Sequence, residues 1–113
     1  MRSGRTRVAG LAWTVAYRLT HRAEEDVIAL YLTGIEEFGE AVAEKYQDGL
    51  WRAFAFLSDY PAAARERLEI TPSVRAHPYN SHMIVYVIDG DDVLILAVRH
   101  GREDWISDPI SEP

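Results

Sequence analysis

The spacing of apolar residues changes abruptly at Thr20, and this change constrains the fold more than any other feature of the chain. Just before it, Tyr17 and Leu19 alternate with Ala16 and Arg18, which is the pattern of a β-strand. After it, apolar residues recur every three or four positions, which is the pattern of an amphipathic helix. They are Ala23, Val27, Leu30, Tyr31, Ile35 and Phe38, followed by Val42, Tyr46, Leu50, Ala53, Phe54 and Leu57. The sequence therefore predicts a strand followed by a long helical region.

Local signals divide the helical region in two. Thr20 is suited to cap the first helix, because a threonine hydroxyl accepts a hydrogen bond from an unpaired backbone N–H, and the acidic residues at 24–26 suit the helix dipole. Gly39 fits the end of the first helix, and the second should end near residues 59–61, at a proline. Because only a Gly-centred connection separates the helices, we predict an antiparallel helical hairpin.

The second half of the chain predicts three short strands. Turn-forming residues occupy positions 78–81 and 89–92, so the apolar stretches beside them should pair as an antiparallel meander. If His77 lies opposite His82 and Ile88 lies opposite Val93, then His77, His82 and Arg99 form a row across the sheet.

This pairing sorts the side chains onto two faces, because neighbours along a strand point to opposite sides. One face is uniformly apolar, and we expect it to pack against the helical hairpin. It holds Val74, Ala76, Met83, Val85, Val87, Leu94, Leu96 and Val98. The other, mixed face holds Arg75, His77, His82, Ile84, Tyr86, Ile95, Ala97 and Arg99. We expect the mixed face to be covered by the C-terminal segment around Trp105 or by another protein.

Size and charge exclude several classes of protein. A chain of 113 residues forms one domain. No apolar run reaches the roughly 18 residues that span a bilayer, and the lack of cysteine excludes a disulfide framework and suits the cytoplasm. The net charge is −6, and residues 20–60 carry nine acids against three Lys or Arg. This excess of negative charge argues against direct nucleic-acid binding.

The N-terminal residues have the opposite charge, since residues 1–19 carry four Arg and no acid. A signal peptide is one interpretation, but the first strand begins inside its supposed apolar core. We therefore predict a flexible basic leader at 1–14, the folded domain at 15–108 and a C-terminal tail at 109–113.

Few residues are candidates for metal binding or catalysis. His77, His82 and His100 fall near the predicted sheet, and three imidazoles can hold zinc, but their spacing matches no metal motif. Residues 89–92 resemble part of a calcium loop, yet the later Glu is missing and a hairpin turn is simpler. No Gly-rich phosphate loop or nucleophile motif occurs. We predict no metal, cofactor or catalytic residue.

The order of these elements, from about Tyr17 to Trp105, resembles the ParE toxins of the RelE/ParE superfamily, also called the plasmid stabilisation protein family. The features that carry it are the strand Tyr17-Arg18-Leu19, the two helices, Pro61 followed by Arg65, Arg75-x-His77-Pro78, Ser81-His82-x-Ile84-x-Tyr86, and His100-Gly101-Arg102-x-Asp104-Trp105. The resemblance implies an α+β domain, with a helical hairpin packed on an antiparallel sheet, acting as the toxin of a type II toxin-antitoxin pair.

The family also implies partners. ParE toxins inhibit DNA gyrase without catalysing a reaction, and a ParD-like antitoxin, a DNA-binding dimer with a disordered tail, forms a hetero-oligomer with the toxin. Two alternatives stay open: a RelE-like, ribosome-dependent mRNA endoribonuclease, and a non-toxic homologue that only binds an antitoxin-like partner. Met83 and Trp105 depart from the RelE-like pattern, because they stand where that pattern has an Arg and a Tyr.

Two groups of residues are candidates for binding. Charged and aromatic residues of the C-terminal strands are expected to bind the target, since Trp and Arg are enriched at binding hot spots; for Trp105, folding back onto the sheet is the alternative. They are Arg75, His77, His82, Arg99, His100, Arg102, Asp104 and Trp105. Apolar side chains of the hairpin and the mixed face are expected to bind the antitoxin tail. They are Tyr31, Phe38, Tyr46, Trp51, Phe56, Ile84, Tyr86 and Ile95.

Overall fold

The computed structural model describes residues 6–7, 14–15, 17–102 and 105–110. Most of the predicted leader at 1–14, most of the predicted tail at 109–113, and Asp104 lie outside the described residues. Ahead of the main sheet, two short strands, β1 (Thr6–Arg7) and β2 (Thr14–Val15), pair in antiparallel fashion.

The domain is an α+β fold, as predicted. Its elements are β3 (Tyr17–Leu19), α1 (His21–Phe38), α2 (Glu40–Asp59), a 3-10 turn (Pro61–Ala63), β4 (Glu66–Arg67), β5 (Val74–Tyr79), β6 (His82–Asp89) and β7 (Asp92–His100). The last five strands form a sheet in the order β3-β7-β6-β5-β4. The meander of β5, β6 and β7 is antiparallel, whereas β3 pairs with β7 in parallel. The predicted helical hairpin packs on this sheet.

The helix boundaries follow the local signals. Thr20 caps α1, since its hydroxyl oxygen accepts the backbone N–H of Ala23 at 3.0 Å. Gly39 ends α1 with a φ of 90°, a conformation that a side chain disfavours, and α2 begins at the next residue. No helix in the described part of the chain is long and apolar enough to cross a membrane.

The main core lies between the helices and the sheet. Its buried members are Ala23, Val27, Leu50, Phe54, Leu57, Ile84, Tyr86, Val93, Ile95 and Val98. Tyr86 reaches through this layer, and its hydroxyl donates to the carbonyl of Pro61 at 2.7 Å. The mixed face, which carries Ile84, Tyr86 and Ile95 and which we expected the C-terminal segment or another protein to cover, is therefore the face that packs against the helices. The assignment of the two faces was wrong.

The second core lies on the opposite face of the sheet. Its buried members are Ile70, Val74, Ala76, Val85, Ala97 and Trp105. Trp105 is only 6% exposed, and the guanidinium of Arg67 lies 5.2 Å from the centre of its ring system. The C-terminal segment does fold back on the sheet, but it covers the uniformly apolar face.

Two local features explain the error in register. β5 continues through Pro78, so Tyr79 and not His77 pairs with His82. A β-bulge opposite Val85 and Tyr86 then shifts β7 by one residue, so that Arg99 lies opposite Met83. The predicted row of His77, His82 and Arg99 does not form, whereas the predicted pairing of Ile88 with Val93 is confirmed.

The start of α1 is fastened to β7 by polar contacts. The Thr20 hydroxyl donates to the carbonyl of Leu96 at 3.0 Å, and its backbone N–H donates to Ile95 at 3.0 Å. Six residues later, the Asp26 carboxylate accepts the backbone N–H of Val98 at 2.9 Å. These contacts fix the helical layer over the end of β7, where a groove opens.

Candidate partner-binding surfaces

A groove of about 970 Å³ opens between the helical hairpin and the ends of β6 and β7. Its apolar lining includes Leu30, Gly34, Phe38, Val42 and Ala43, and its polar lining includes Arg22, Asp26, Tyr46, His82, Arg99 and His100. The small residues Gly34 and Ala43 meet where α1 crosses α2, since a Cβ at Gly34 would lie 3.3 Å from that of Ala43. The helices approach each other closely at this point, and the groove opens beside the crossing.

Two histidines and a tyrosine form the polar end of the groove. His82 begins β6 and His100 ends β7, so they are direct cross-strand neighbours with ring centres 5.2 Å apart. The Tyr46 hydroxyl lies 2.7 Å from Nδ1 of His82 and orients that ring. Burial raises the pKa of the Tyr46 phenol, so it remains a neutral hydrogen-bonding group near pH 7.

The other target-binding candidates are dispersed. Arg75 donates to the carbonyl of Ala64 at 2.7 Å, and Arg99 donates to the carbonyl of Asp108. Arg102 is exposed, and its backbone N–H donates to Nδ1 of His100 at 3.1 Å. Trp105 is buried in the second core, and Asp104 lies outside the described residues.

His77 belongs to a separate aromatic cluster at the end of α2. Its ring centre lies 5.6 Å from that of Phe56, which in turn lies 5.2 Å from that of Tyr60. Burial lowers the pKa of His77. Phe56 is 42% and Tyr60 is 61% exposed, so this cluster presents apolar surface to solvent.

The antitoxin-binding candidates divide by burial. Phe38 and Trp51 are 66% and 40% exposed, while Tyr31 and Tyr46 are half-buried. Ile84, Tyr86 and Ile95 are fully buried beneath the helices, so the expectation that they lie on an open face is wrong.

On the hairpin, the exposed large apolar residues outside the predicted antitoxin contacts are Ile28, Leu32 and Val42. The sequence does contain a pattern that indicates a second apolar side of α1. Ile28 and Leu32 are one helical turn apart, on a different side of α1 from Ala23 and Val27. The sequence analysis predicts only one apolar face for α1.

No three His, Asp or Glu side chains are grouped as metal ligands among residues 17–102 and 105–110. The absence of a metal or cofactor stays a prediction.

A helical hairpin on a mixed five-stranded sheet, with apolar side chains exposed on the hairpin, defines a small domain with surfaces suited to protein partners. A family model described as "ParE toxin of type II toxin-antitoxin system, parDE" matches residues 17–105. The chain therefore belongs to the ParE toxins of type II toxin-antitoxin systems, and the resemblance seen in the sequence is confirmed.

Relatives agree with this assignment. The chain is 26% identical to Toxin ParE3 of Caulobacter vibrioides over 83 residues, which cover 74% of this chain and 83% of that protein. Among solved structures, a chain of the chromosomal ParDE TA system from P. aeruginosa superimposes with a TM-score of 0.66 at 18% identity. That match covers 76% of this chain and 95% of the other, and it shows a common fold.

Proposed function

We propose that this ParE toxin inhibits DNA gyrase and that a ParD-like antitoxin neutralises it in a hetero-oligomer. The observation that carries the proposal is the family match across the whole domain, residues 17–105. The proposal requires the toxin to act in the cytoplasm, where gyrase works on the chromosome.

The arrangement of the cationic residues supports a protein target over RNA cleavage. Nuclease chemistry needs basic groups that converge on an open site, where they stabilise charge on the phosphate and move protons. Arg75 and Arg99 instead donate to backbone carbonyls, and His77 packs beneath Phe56. Arg99 lies at the groove, but it is only 7% exposed and its guanidinium is held by the carbonyl of Asp108. These groups hold the fold together.

The exposed apolar residues support a protein antitoxin. A disordered segment that folds on binding must bury enough apolar surface to offset the entropy lost on ordering. Tyr31, Phe38, Tyr46, Trp51 and Phe56 supply such surface along the hairpin, and Tyr46 extends it to His82 at the sheet ends. We propose them as antitoxin contacts, and His82, His100 and Arg102 at the sheet ends as target contacts.

The test is supercoiling of relaxed plasmid by gyrase with increasing amounts of the purified chain. We expect inhibition together with accumulation of cleaved plasmid. A His100→Ala/Arg102→Ala variant should inhibit less when activity is expressed per folded molecule, with urea unfolding measuring the stability lost with the contacts of the His100 ring. The matched control is Leu68→Ser, because Leu68 is 76% exposed and lies far along the chain from both surfaces.

A parallel assay measures cleavage of mRNA on translating ribosomes. Undisturbed supercoiling together with mRNA cleavage would establish the nuclease alternative. If a folded sample affected neither process, the chain would be a homologue that only binds a partner.

A further inference from the structure

Helix α1 is apolar on two sides. Ala23 and Val27 face the core, together with half-buried Leu30. On the outer side, Ile28, Tyr31, Leu32 and Ile35 follow the spacing i, i+3, i+4, i+7 and form one continuous face, the outer stripe. Ile28 and Leu32 are 59% and 56% exposed, and the other two are half-buried. A solvated helix normally carries polar groups there, so the outer stripe is suited to a partner.

Acidic side chains border the outer stripe. Glu24 and Glu25 lie one turn before it, and Glu36 follows it, all exposed on α1. Glu40 and Glu44 approach it from α2, and their effect is seen at Tyr31. The pKa of the Tyr31 phenol is raised by desolvation and then by the negative charges of Glu44 and Glu40.

The basic residues of α1 do not balance this charge. His21, at the start of α1, lies 3.0 Å from a carboxylate oxygen of Glu25 and 4.0 Å from one of Glu24. Arg22 points to another side of the helix and pairs with Asp26 at 3.0 Å. The α1 residues that border the stripe are therefore net negative, and Glu40 and Glu44 of α2 add to this charge at Tyr31.

We infer that the outer stripe binds a basic amphipathic helix, with apolar residues packed along Ile28 and Leu32 and Lys or Arg residues facing the glutamates. This rests on the proposed function, in which the helix is the toxin-binding segment of the antitoxin. The stripe follows one helical ridge for two turns, and such a ridge packs into the groove between side chains of a second helix. Attraction between the glutamates at the margins of the stripe and basic residues of the partner would fix the position of the bound helix and favour a basic helix over an acidic one.

A second copy of the toxin fits the outer stripe poorly. Two α1 helices packed antiparallel about a twofold axis would place Glu25 of one copy near Glu36 of the other, at both ends of the contact. Such like-charge contacts oppose association. A basic partner turns the same glutamates into attractive contacts.

The experiment uses two synthetic helical peptides of about three heptads with the same leucine positions. One carries lysine beside the leucines and the other carries glutamate. Each is titrated into the labelled full chain at low and high salt. We expect the lysine peptide to bind at least about tenfold more tightly, with the preference reduced by salt.

Three variants locate the binding. Ile28→Ser/Leu32→Ser should weaken lysine-peptide binding by about tenfold or more. Glu25→Lys/Glu36→Lys should reverse the preference between the peptides. Leu68→Ser, which removes an equally exposed apolar side chain elsewhere, should bind like the parent chain. Urea unfolding establishes that each variant is folded.

Three results would overturn the inference. The first is that the parent chain binds both peptides with equal affinity. The second is that the Ile28→Ser/Leu32→Ser variant binds the lysine peptide as tightly as the parent chain does. The third is that light scattering shows a dimer of the parent chain that is absent in the Ile28→Ser/Leu32→Ser variant. The gyrase assay on these samples separates this inference from the proposed function. Peptide binding without gyrase inhibition contradicts only the target, and inhibition without peptide binding contradicts only the outer stripe.

Discussion

The hydroxyl of Tyr79 lies so close to the backbone of Gly49 that a methyl group added at this glycine would overlap the phenolic oxygen. The same hydroxyl donates to the carbonyl of Tyr46 at 2.9 Å. A side chain from β5 therefore crosses to α2 through a gap that only glycine leaves. This contact joins the helical layer to the edge of the meander, beside the groove.

Gly49→Ala should destabilise the protein by about 1–2 kcal/mol. Overpacking costs about 1–3 kcal/mol, and the better helix propensity of alanine offsets up to about 1 kcal/mol. Urea unfolding measures the difference. In Gly34→Ala the new methyl would lie 3.3 Å from Cβ of Ala43, so a small shift suffices and stability should hardly change. Tyr79→Phe should partly rescue Gly49→Ala, and strict additivity of the two changes would contradict the proposed overlap.

Thr20→Ala should lower the free energy of unfolding by about 2 kcal/mol, the upper end for loss of a helix cap. The Thr20 hydroxyl both accepts from Ala23 and donates to Leu96, so one substitution removes the cap and a tie to β7. Thr20→Ser keeps both contacts and should remain near the parent stability. Thr33→Ala, on the exposed part of the same helix, is the matched control and should be neutral or slightly stabilising. Equal losses in the alanine and serine variants would argue against the hydroxyl.

The helices could be predicted from sequence because their signals are local. Thr20 and Gly39 act through their own hydroxyl and backbone conformation, and the apolar spacing between them does not depend on the rest of the chain. The second hairpin was predicted for a similar reason, since Gly90, with a φ of 64°, allows its tight turn. Local chemistry sufficed for these elements.

The sheet faces could not be predicted, because both are apolar at their centre. Pro78 suggested a turn, yet β4 pairs with β5 only at Val74 and Arg75, so Pro78 lies on a free edge where a proline is tolerated. The actual turn follows Tyr79, where Asn80 adopts a φ of 52°. The bulge beside Tyr86 has no glycine or proline to mark it, and it moved Arg99 away from the expected row.

The free energy of unfolding should decrease as the pH is lowered below about 6.5, which is the ordinary pKa of histidine. The residue responsible is His77. Burial lowers the pKa of His77 in the folded state, so the unfolded chain binds more protons between the two pKa values. Stability is then complete above the unfolded pKa and decreases as pH falls toward the folded pKa. The difference in unfolding free energy between the parent chain and His77→Gln, measured by urea titration across this range, isolates the effect. Parallel pH curves for the two proteins would contradict it.

Trp105→Ala should destabilise the protein by about 3–5 kcal/mol, as expected for truncation of a buried aromatic residue. Trp105 fills the second core against Val85 and Ala97 and lies under Arg67. Ile106→Ala, which truncates an exposed neighbour, should cost less than about 0.5 kcal/mol.

The Trp105→Phe variant separates packing from direct binding, because phenylalanine keeps much of the apolar contact. If Trp105 acts through the core, this variant should inhibit gyrase like the parent chain once activity is expressed per folded molecule. A fully folded Trp105→Phe protein that no longer inhibited gyrase would instead make the indole part of the target contact. Because Trp105 is 6% exposed, that contact would require the C-terminal segment to leave the sheet, and hydrogen exchange of Val85 and Ala97 on gyrase binding would reveal it.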